Sequence, residues 1–347
     1  MRLDATALGT SDERQGKSSL WHWSDWSLLC LSLTAKQAYR CGEIAIAKAC
    51  YEAILSFAPD QADALLQFGG ILGQHGDLAS AINLLRRGLA IKPNSIEGWS
   101  NLGVAYHDVG QHRKAIVCLR RALRLAPGYG VALRNMGRAL AALQRHENAI
   151  VMYERAIALQ PYYAEALNDL GCSLHGLARN DEALEQFDLA LKARPNYKDA
   201  LVNLAATLRA LHRFEDAIRQ YQKVLTLTPA EGAVQLLLAE TLVRAERATE
   251  AIALYEEIRV LRPDLADAHA GLAFVLLEVG RIDEARTCFE KAILLDPTQP
   301  SYFRGLAQIS KLSAGDVNLH LMRQLSSSAV DLSITNYQSN PPSLRPW

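Results

Sequence analysis

The sequence predicts an all-α solenoid, a stack of antiparallel helix pairs, and three observations carry that prediction. Prolines recur every 34 residues, at Pro59, Pro93, Pro127, Pro161, Pro195, Pro229, Pro263 and Pro297. Alanines keep the same interval at Ala47, Ala81, Ala115, Ala149, Ala183, Ala217, Ala251 and Ala285. A small residue keeps it too, at Ala35, Gly69, Gly103, Gly137, Gly171, Ala205, Ala239, Ala273 and Ala307. A fixed period of this length in a 347-residue chain marks an array of one repeated supersecondary unit.

Each part of the unit has a mechanical reason. In "WSNLGVAYHDVG", Trp99, Leu102, Gly103 and Tyr106 stand at i, i+3, i+4 and i+7, the apolar stripe of a first helix. The small residue on that stripe lets a second helix approach closely. Gly42, Gly76, Gly110 and Gly280 supply turns between the two helices, and the proline ends the second one because its ring cannot continue the hydrogen-bond ladder. A single hairpin cannot bury its apolar faces, so neighbouring units stack into one elongated core.

Along the chain, residues 1–27 read as a polar tail followed by a Trp-rich cap, with Trp21, Trp23 and Trp26 placed where a terminal repeat would expose its edge. Eight repeats occupy 28–299. Residues 300–329 read as a partial ninth repeat with capping helices, Tyr302 to Lys311 first and then an amphipathic stretch through Val317, Leu321, Met322 and Leu325. The remaining 330–347 show no periodicity and read as a flexible tail.

The set Trp99, Leu102, Gly103, Tyr106, Ala115, Ala122 and Pro127 resembles the tetratricopeptide repeat pattern, departing only at Leu119, where a Phe is usual. The resemblance implies a right-handed superhelix whose first helices line a concave groove. Towards the C-terminal half the pattern departs further. Gln235 and His269 take the Trp99 position and Val224 and Ile258 the Ala122 position, which predicts looser or differently curved stacking there.

Composition excludes several function classes. Thirty-seven basic and 37 acidic residues leave no global field for nucleic acid or an anionic membrane, although local patches are compatible with that balance. Six scattered cysteines without a CxxC pair read as reduced thiols of a cytoplasmic protein, and "WSLLCLSLTA" is too short to span a bilayer. Gly16-Lys17-Ser18 has Ser11 where a phosphate-cradling loop needs glycine, and reads as part of the tail. His107 and His112 straddle a turn without a carboxylate or cysteine at metal-ligand spacing. No catalytic constellation, cofactor loop or metal site is expected, so the chain reads as a non-enzyme.

Binding is expected on the face of the first helices opposite the core stripe. There one repeat position holds Gln67, Asn101, Asn135, Asp169 and Asn203, a run of short amides and one acid. An amide donates and accepts, as an extended peptide backbone requires. The run is similar to the asparagine ladder in the repeats of O-linked N-acetylglucosamine transferases, which implies sequence-tolerant binding of polypeptides through Asn101, Asn135 and Asn203. Around it Arg134, Arg138, His175 and Arg209 predict a mildly basic centre that takes acidic groups. Further on Leu237 and Gly271 end the run, and Leu236, Leu237, Phe274 and Leu277 predict an apolar wall that takes a hydrophobic segment or the chain's own C-terminal helix. The expected function is a protein-interaction scaffold without cofactors, nucleic acid or membrane insertion. The alternatives are a targeting module of a glycosyltransferase or sulfotransferase system and a self-associating stack.

Overall fold

The computed structural model describes residues 16–309, with side chains from Trp26 onward. Among these residues every regular element is an α-helix, 17 in all. The chain divides between Arg179 and Asn180 into two compact units. The first contains α1 (Gly16–Arg40), α2 (Ile44–Phe57), α3 (Ala62–Gln74), α4 (Leu78–Ile91), α5 (Ile96–Asp108), α6 (His112–Leu125), α7 (Gly130–Ala141), α8 (His146–Leu159) and α9 (Ala164–Gly176). The second contains α10 (Asn180–Ala193), α11 (Lys198–Ala210), α12 (Phe214–Leu227), α13 (Gly232–Arg244), α14 (Ala248–Leu261), α15 (Ala266–Glu278), α16 (Ile282–Leu295) and α17 (Pro300–Ile309).

Within each hairpin the periodic residues make the close approach. All eight alanines of the second helices are fully buried. A Cβ added at Gly103 would stand 2.6 Å from Leu119 Cγ, and one at Gly137 only 2.4 Å from the Tyr153 ring. The larger partners on the second helices, Leu119, Tyr153, Phe187, Tyr221 and Phe289, are themselves buried, each worth about 1.5–3 kcal/mol on transfer from water.

The first helices of neighbouring repeats touch one another directly, as α3 does α5, α5 does α7 and α7 does α9 in the first unit, and α13 does α15 and α15 does α17 in the second. No pair of successive second helices makes comparable contact. Each unit therefore closes up on its first-helix side and splays on the other.

Every turn inside a hairpin uses one residue in the left-handed region. Glycine supplies it at Gly42, Gly76, Gly110 and Gly280, with φ of 80–85°. In the other four repeats Gln144, Ala178, His212 and Glu246 adopt φ of 58–60°, although a side chain is disfavoured there.

Three expectations change. The boundary at residue 27 is not a structural break, because α1 runs unbroken from Gly16 to Arg40, over a stretch with no proline or internal glycine to stop it. Gly16, Lys17 and Ser18 thus open a helix rather than belonging to a tail. Trp26 is 65% exposed, and Leu28 and Leu31 pack against the core instead; the side chains of Trp21 and Trp23 lie outside the described residues.

At the departures from the repeat pattern the first helices α13 and α15 touch more sparsely than α3 and α5 do, yet the departing residues themselves stay in the core. Val224 and Ile258 are fully buried, and Gln235 and His269 are buried too. The physical reason is a shared hydrogen bond. Trp99 Nε1 donates to the Pro93 carbonyl at 2.8 Å, Gln235 Nε2 to Pro229 at 3.4 Å, and His269 Nε2 meets the Pro263 carbonyl at 3.0 Å. All three side chains tie a first helix to the proline that ended the preceding repeat. The helix expected through Val317 to Leu325 and the tail at 330–347 lie outside the described residues.

Candidate functional site

The amide run lies on the first helices, one residue per repeat, because position six of each repeat points away from the stripe that packs on the second helix. In the first unit it splits into two kinds. Gln67 is exposed, Asn101 half-buried and Asn135 only 8% exposed. Among the described residues none of these three side chains makes a hydrogen bond. Asp169 differs: its carboxylate accepts from Arg134 Nε at 2.6 Å, with side-chain exposures of 17% and 22%. Burial pushes the Asp169 carboxyl above its ordinary value, against the pull of the Arg134 guanidinium beside it. Asp169 and Arg134, two residues expected to face a ligand, therefore satisfy each other.

Gln67 and Asn101 share a hollow of about 250 Å³, with Lys36 on its wall and the Lys92–Asp63 ion pair, 2.7 Å long, among its lining. Asn101 reaches it by lying flat over α3. A Cβ at Gly70 would stand 2.8 Å from Asn101 Nδ2, so the glycine makes room for the amide. Sequence reasoning missed Gly70; the doublet Gly69-Gly70 carried the signal, since the core accounts for only the first of the two.

Arg138 stays half-buried without an ion pair among the described residues. Its charge, after burial, holds the His107 imidazole below the ordinary histidine value. His107 and His112 meet each other, Nδ1 to Nδ1 at 3.2 Å. No group of three or more metal-ligating side chains occurs among the described residues. His175 is half-buried in the last turn of α9 and has a partner of its own.

In the second unit Asn203 is half-buried and partnered, and Arg209 pairs with Glu240 at 3.2 Å. The amide run ends at Leu237, and beyond it the glycines at the same repeat position leave no room for a side chain. A Cβ at Gly271 would stand 2.5 Å from the Tyr255 ring, and one at Gly305 2.2 Å from Phe289, so aromatic rings fill the space. The apolar wall expected from Leu236, Leu237, Phe274 and Leu277 is not one surface. Leu236 and Phe274 line a groove of about 580 Å³, but Glu240, Arg244 and Glu278 line it too. Leu237 and Leu277 are half-buried outside that lining; Leu237 follows Leu236 directly and so projects about 100° away from it.

No described helix is long and apolar enough to cross a membrane. Cys118 and Cys288 are buried, burial pushing the Cys118 thiol up to about 11, and Cys30, Cys41 and Cys172 are exposed; none of these is joined in a disulfide.

Family models described as tetratricopeptide repeats match residues 69–110, 94–161, 138–198, 202–266 and 242–309. A comparison with curated proteins gave no match. Among solved structures, one described as the APC/C hetero-tetramer Cut9-Hcn1 is 18% identical over 86% of this chain and 61% of its own, with a TM-score of 0.57. A tetratricopeptide repeat protein from Parabacteroides merdae ATCC 43184 is 18% identical over 72% of this chain and 98% of its own, with a TM-score of 0.53. A third, the MamA protein, is 25% identical over 49% of this chain and 93% of its own, with a TM-score of 0.43. At these identities the first two likenesses concern the fold.

Proposed function

Since the chain is a tetratricopeptide repeat protein, we propose that it is a protein-interaction scaffold whose first unit holds an extended polypeptide on the amides of Asn101 and Asn135. One observation carries this reading: both amides stand on the closed-up, first-helix side without a hydrogen-bond partner, one of them at 8% exposure. A desolvated amide without a partner costs the free protein about 1–3 kcal/mol, which a ligand's backbone N–H and C=O would return. Packed helices lie about 8–10 Å apart and a strand advances about 3.3 Å per residue, so the two amides meet roughly every third residue of a bound chain. Gln67 extends the row at its exposed end. The unpaired Arg138 supplies a preference for an acidic side chain or a carboxylate. The proposed likeness to the asparagine ladder of O-linked N-acetylglucosamine transferases rests on Asn101, Asn135 and Asn203.

The test is crosslinking capture from native lysate with mass-spectrometric mapping of the crosslinked sites, comparing wild type with an Asn101→Ala/Asn135→Ala variant of equal helicity. The reading expects crosslinks on α3, α5 and α7 that the variant loses. An unchanged set of partners and crosslinks would sink it.

A further inference from the structure

The zero net charge of the chain conceals a strongly basic face on the splayed side of the first unit. The second helices α4 and α6 contain Arg86, Arg87, Arg113, Lys114, Arg120, Arg121 and Arg124 and not one acidic residue. The next second helix, α8, is mixed, with Glu147 and Glu154 against Arg155. Arg87 is engaged, donating to the Pro59 carbonyl at 2.8 Å, and Lys114 sits over the Tyr106 ring. Arg86, Arg113, Arg120, Arg121 and Arg124 are exposed and, among the described residues, make no hydrogen bond or ion pair. Unscreened like charges along one helix face repel, so the free protein gains nothing from this arrangement.

Between α4 and α6 the splay opens a pocket of about 420 Å³ that reaches down to α5. Its floor is Leu89, Trp99, Leu102 and Tyr106, and Arg86 and Lys114 stand at its rim. We propose that this pocket and the arginines around it dock an acidic polypeptide segment of a partner protein through one bulky apolar side chain.

Charge and shape together choose that occupant. The chain's own residues outside the described range do not complement the face: 310–347 contain Lys311, Arg323 and Arg345 against Asp316 and Asp331, and 1–15 are almost balanced. An anionic membrane is less suited, because a bilayer takes up apolar groups that project, and here they are recessed. Of the large apolar side chains on α4 and α6 only Ile91 and Val117, the latter at the pocket's edge, project, at 49% and 64% exposure. Nucleic acid is disfavoured by the floor, which is apolar apart from the Tyr106 hydroxyl, since Trp99 Nε1 already donates to Pro93. An acidic segment with a single leucine or phenylalanine meets every requirement: the apolar side chain fills the pocket, and the carboxylates meet guanidinium forks.

Fluorescence anisotropy on the full chain tests this with three labelled peptides: glutamates around one central leucine, the same with alanine for the leucine, and the same with glutamine for each glutamate. The leucine–glutamate peptide is expected to bind at least about tenfold tighter than either control, and to weaken as salt rises towards about 0.3 M. Arg86→Gln with Lys114→Gln weakens it by about tenfold, and Ala90→Trp, which plugs the pocket from its exposed rim, abolishes the advantage of leucine over alanine. The Asn101→Ala/Asn135→Ala variant leaves this binding unchanged, which separates the site from the amide row. Equal affinity for the leucine and alanine peptides would overturn the proposal. So would loss of binding in the asparagine variant, or tighter binding of phosphatidylglycerol vesicles or polyuridine that ignores Ala90→Trp.

Discussion

Asn135→Leu separates what the protein needs in order to fold from what it needs in order to bind. Asparagine and leucine both branch at Cγ, so the exchange changes polarity with little change of shape. Leucine also occupies the same repeat position at Leu33 and Leu237. In the free protein the Asn135 amide is 8% exposed and has no hydrogen-bond partner. Leaving such a group desolvated costs about 1–3 kcal/mol, and the lower end applies because the amide edge is not sealed from water. Replacing it with leucine should therefore stabilise the first unit by about 1 kcal/mol, or about 2–4 °C in Tm for a unit of this size. Denaturant titration followed by circular dichroism measures the stability change, and the crosslinking capture measures the loss of ligand. A variant that is less stable than wild type, or one that is more stable yet captures the same partners, would refute the reasoning. The first result would mean that the amide has a structural partner, the second that it faces no ligand.

Identical glycine-to-alanine changes should act with opposite signs in one unit. At Gly137 the new Cβ would lie 2.4 Å from the buried Tyr153 ring and overpacking of about 1–3 kcal/mol outweighs the gain in helix propensity, whereas at Gly73 it meets Ala81 at an ordinary 3.6 Å and up to about 1 kcal/mol is gained. Thermal melts of the two variants check both signs. Ala178→Gly should stabilise by roughly 1 kcal/mol, because it relieves a left-handed residue at φ 58° that glycine supplies in four other turns; an unchanged or lower Tm would contradict that. Burial holds the His269 imidazole below the ordinary histidine value. With the folded value depressed, its contribution to stability is fully present above the unfolded value of about 6.5 and is lost as pH falls through that value and on towards the folded one. His269→Gln, copying the bond that Gln235 makes, should keep the Tm at neutral pH and flatten its decline on acidification. An equally steep decline in the variant would show that the proton goes elsewhere.

Much of the architecture was legible in the residues because each periodic class answers to one steric demand. Proline stops a helix wherever it stands, and a buried alanine or glycine permits close approach whatever surrounds it. The candidate site was legible only as far as direction. The 100° step of a helix places Gln67, Asn101, Asn135 and Asp169 on one face, but nothing in that step says that Arg134 reaches across to the next repeat and closes Asp169. Nor does it say that Gly70 clears a bed for the Asn101 amide, or that the ring of Tyr255 stands where a further rung would be.

Local spacing therefore decided the fold class, the hairpins and the faces, since these depend on contacts within about 34 residues. Tertiary structure alone decided which polar side chains remain free, which turns carry a strained non-glycine residue, and where the splay of α4 from α6 leaves an apolar pocket among unpaired arginines. Those outcomes depend on the position of one repeat against the next to within an ångström or two. A hydrogen bond is made or lost over that distance, and no residue type encodes it.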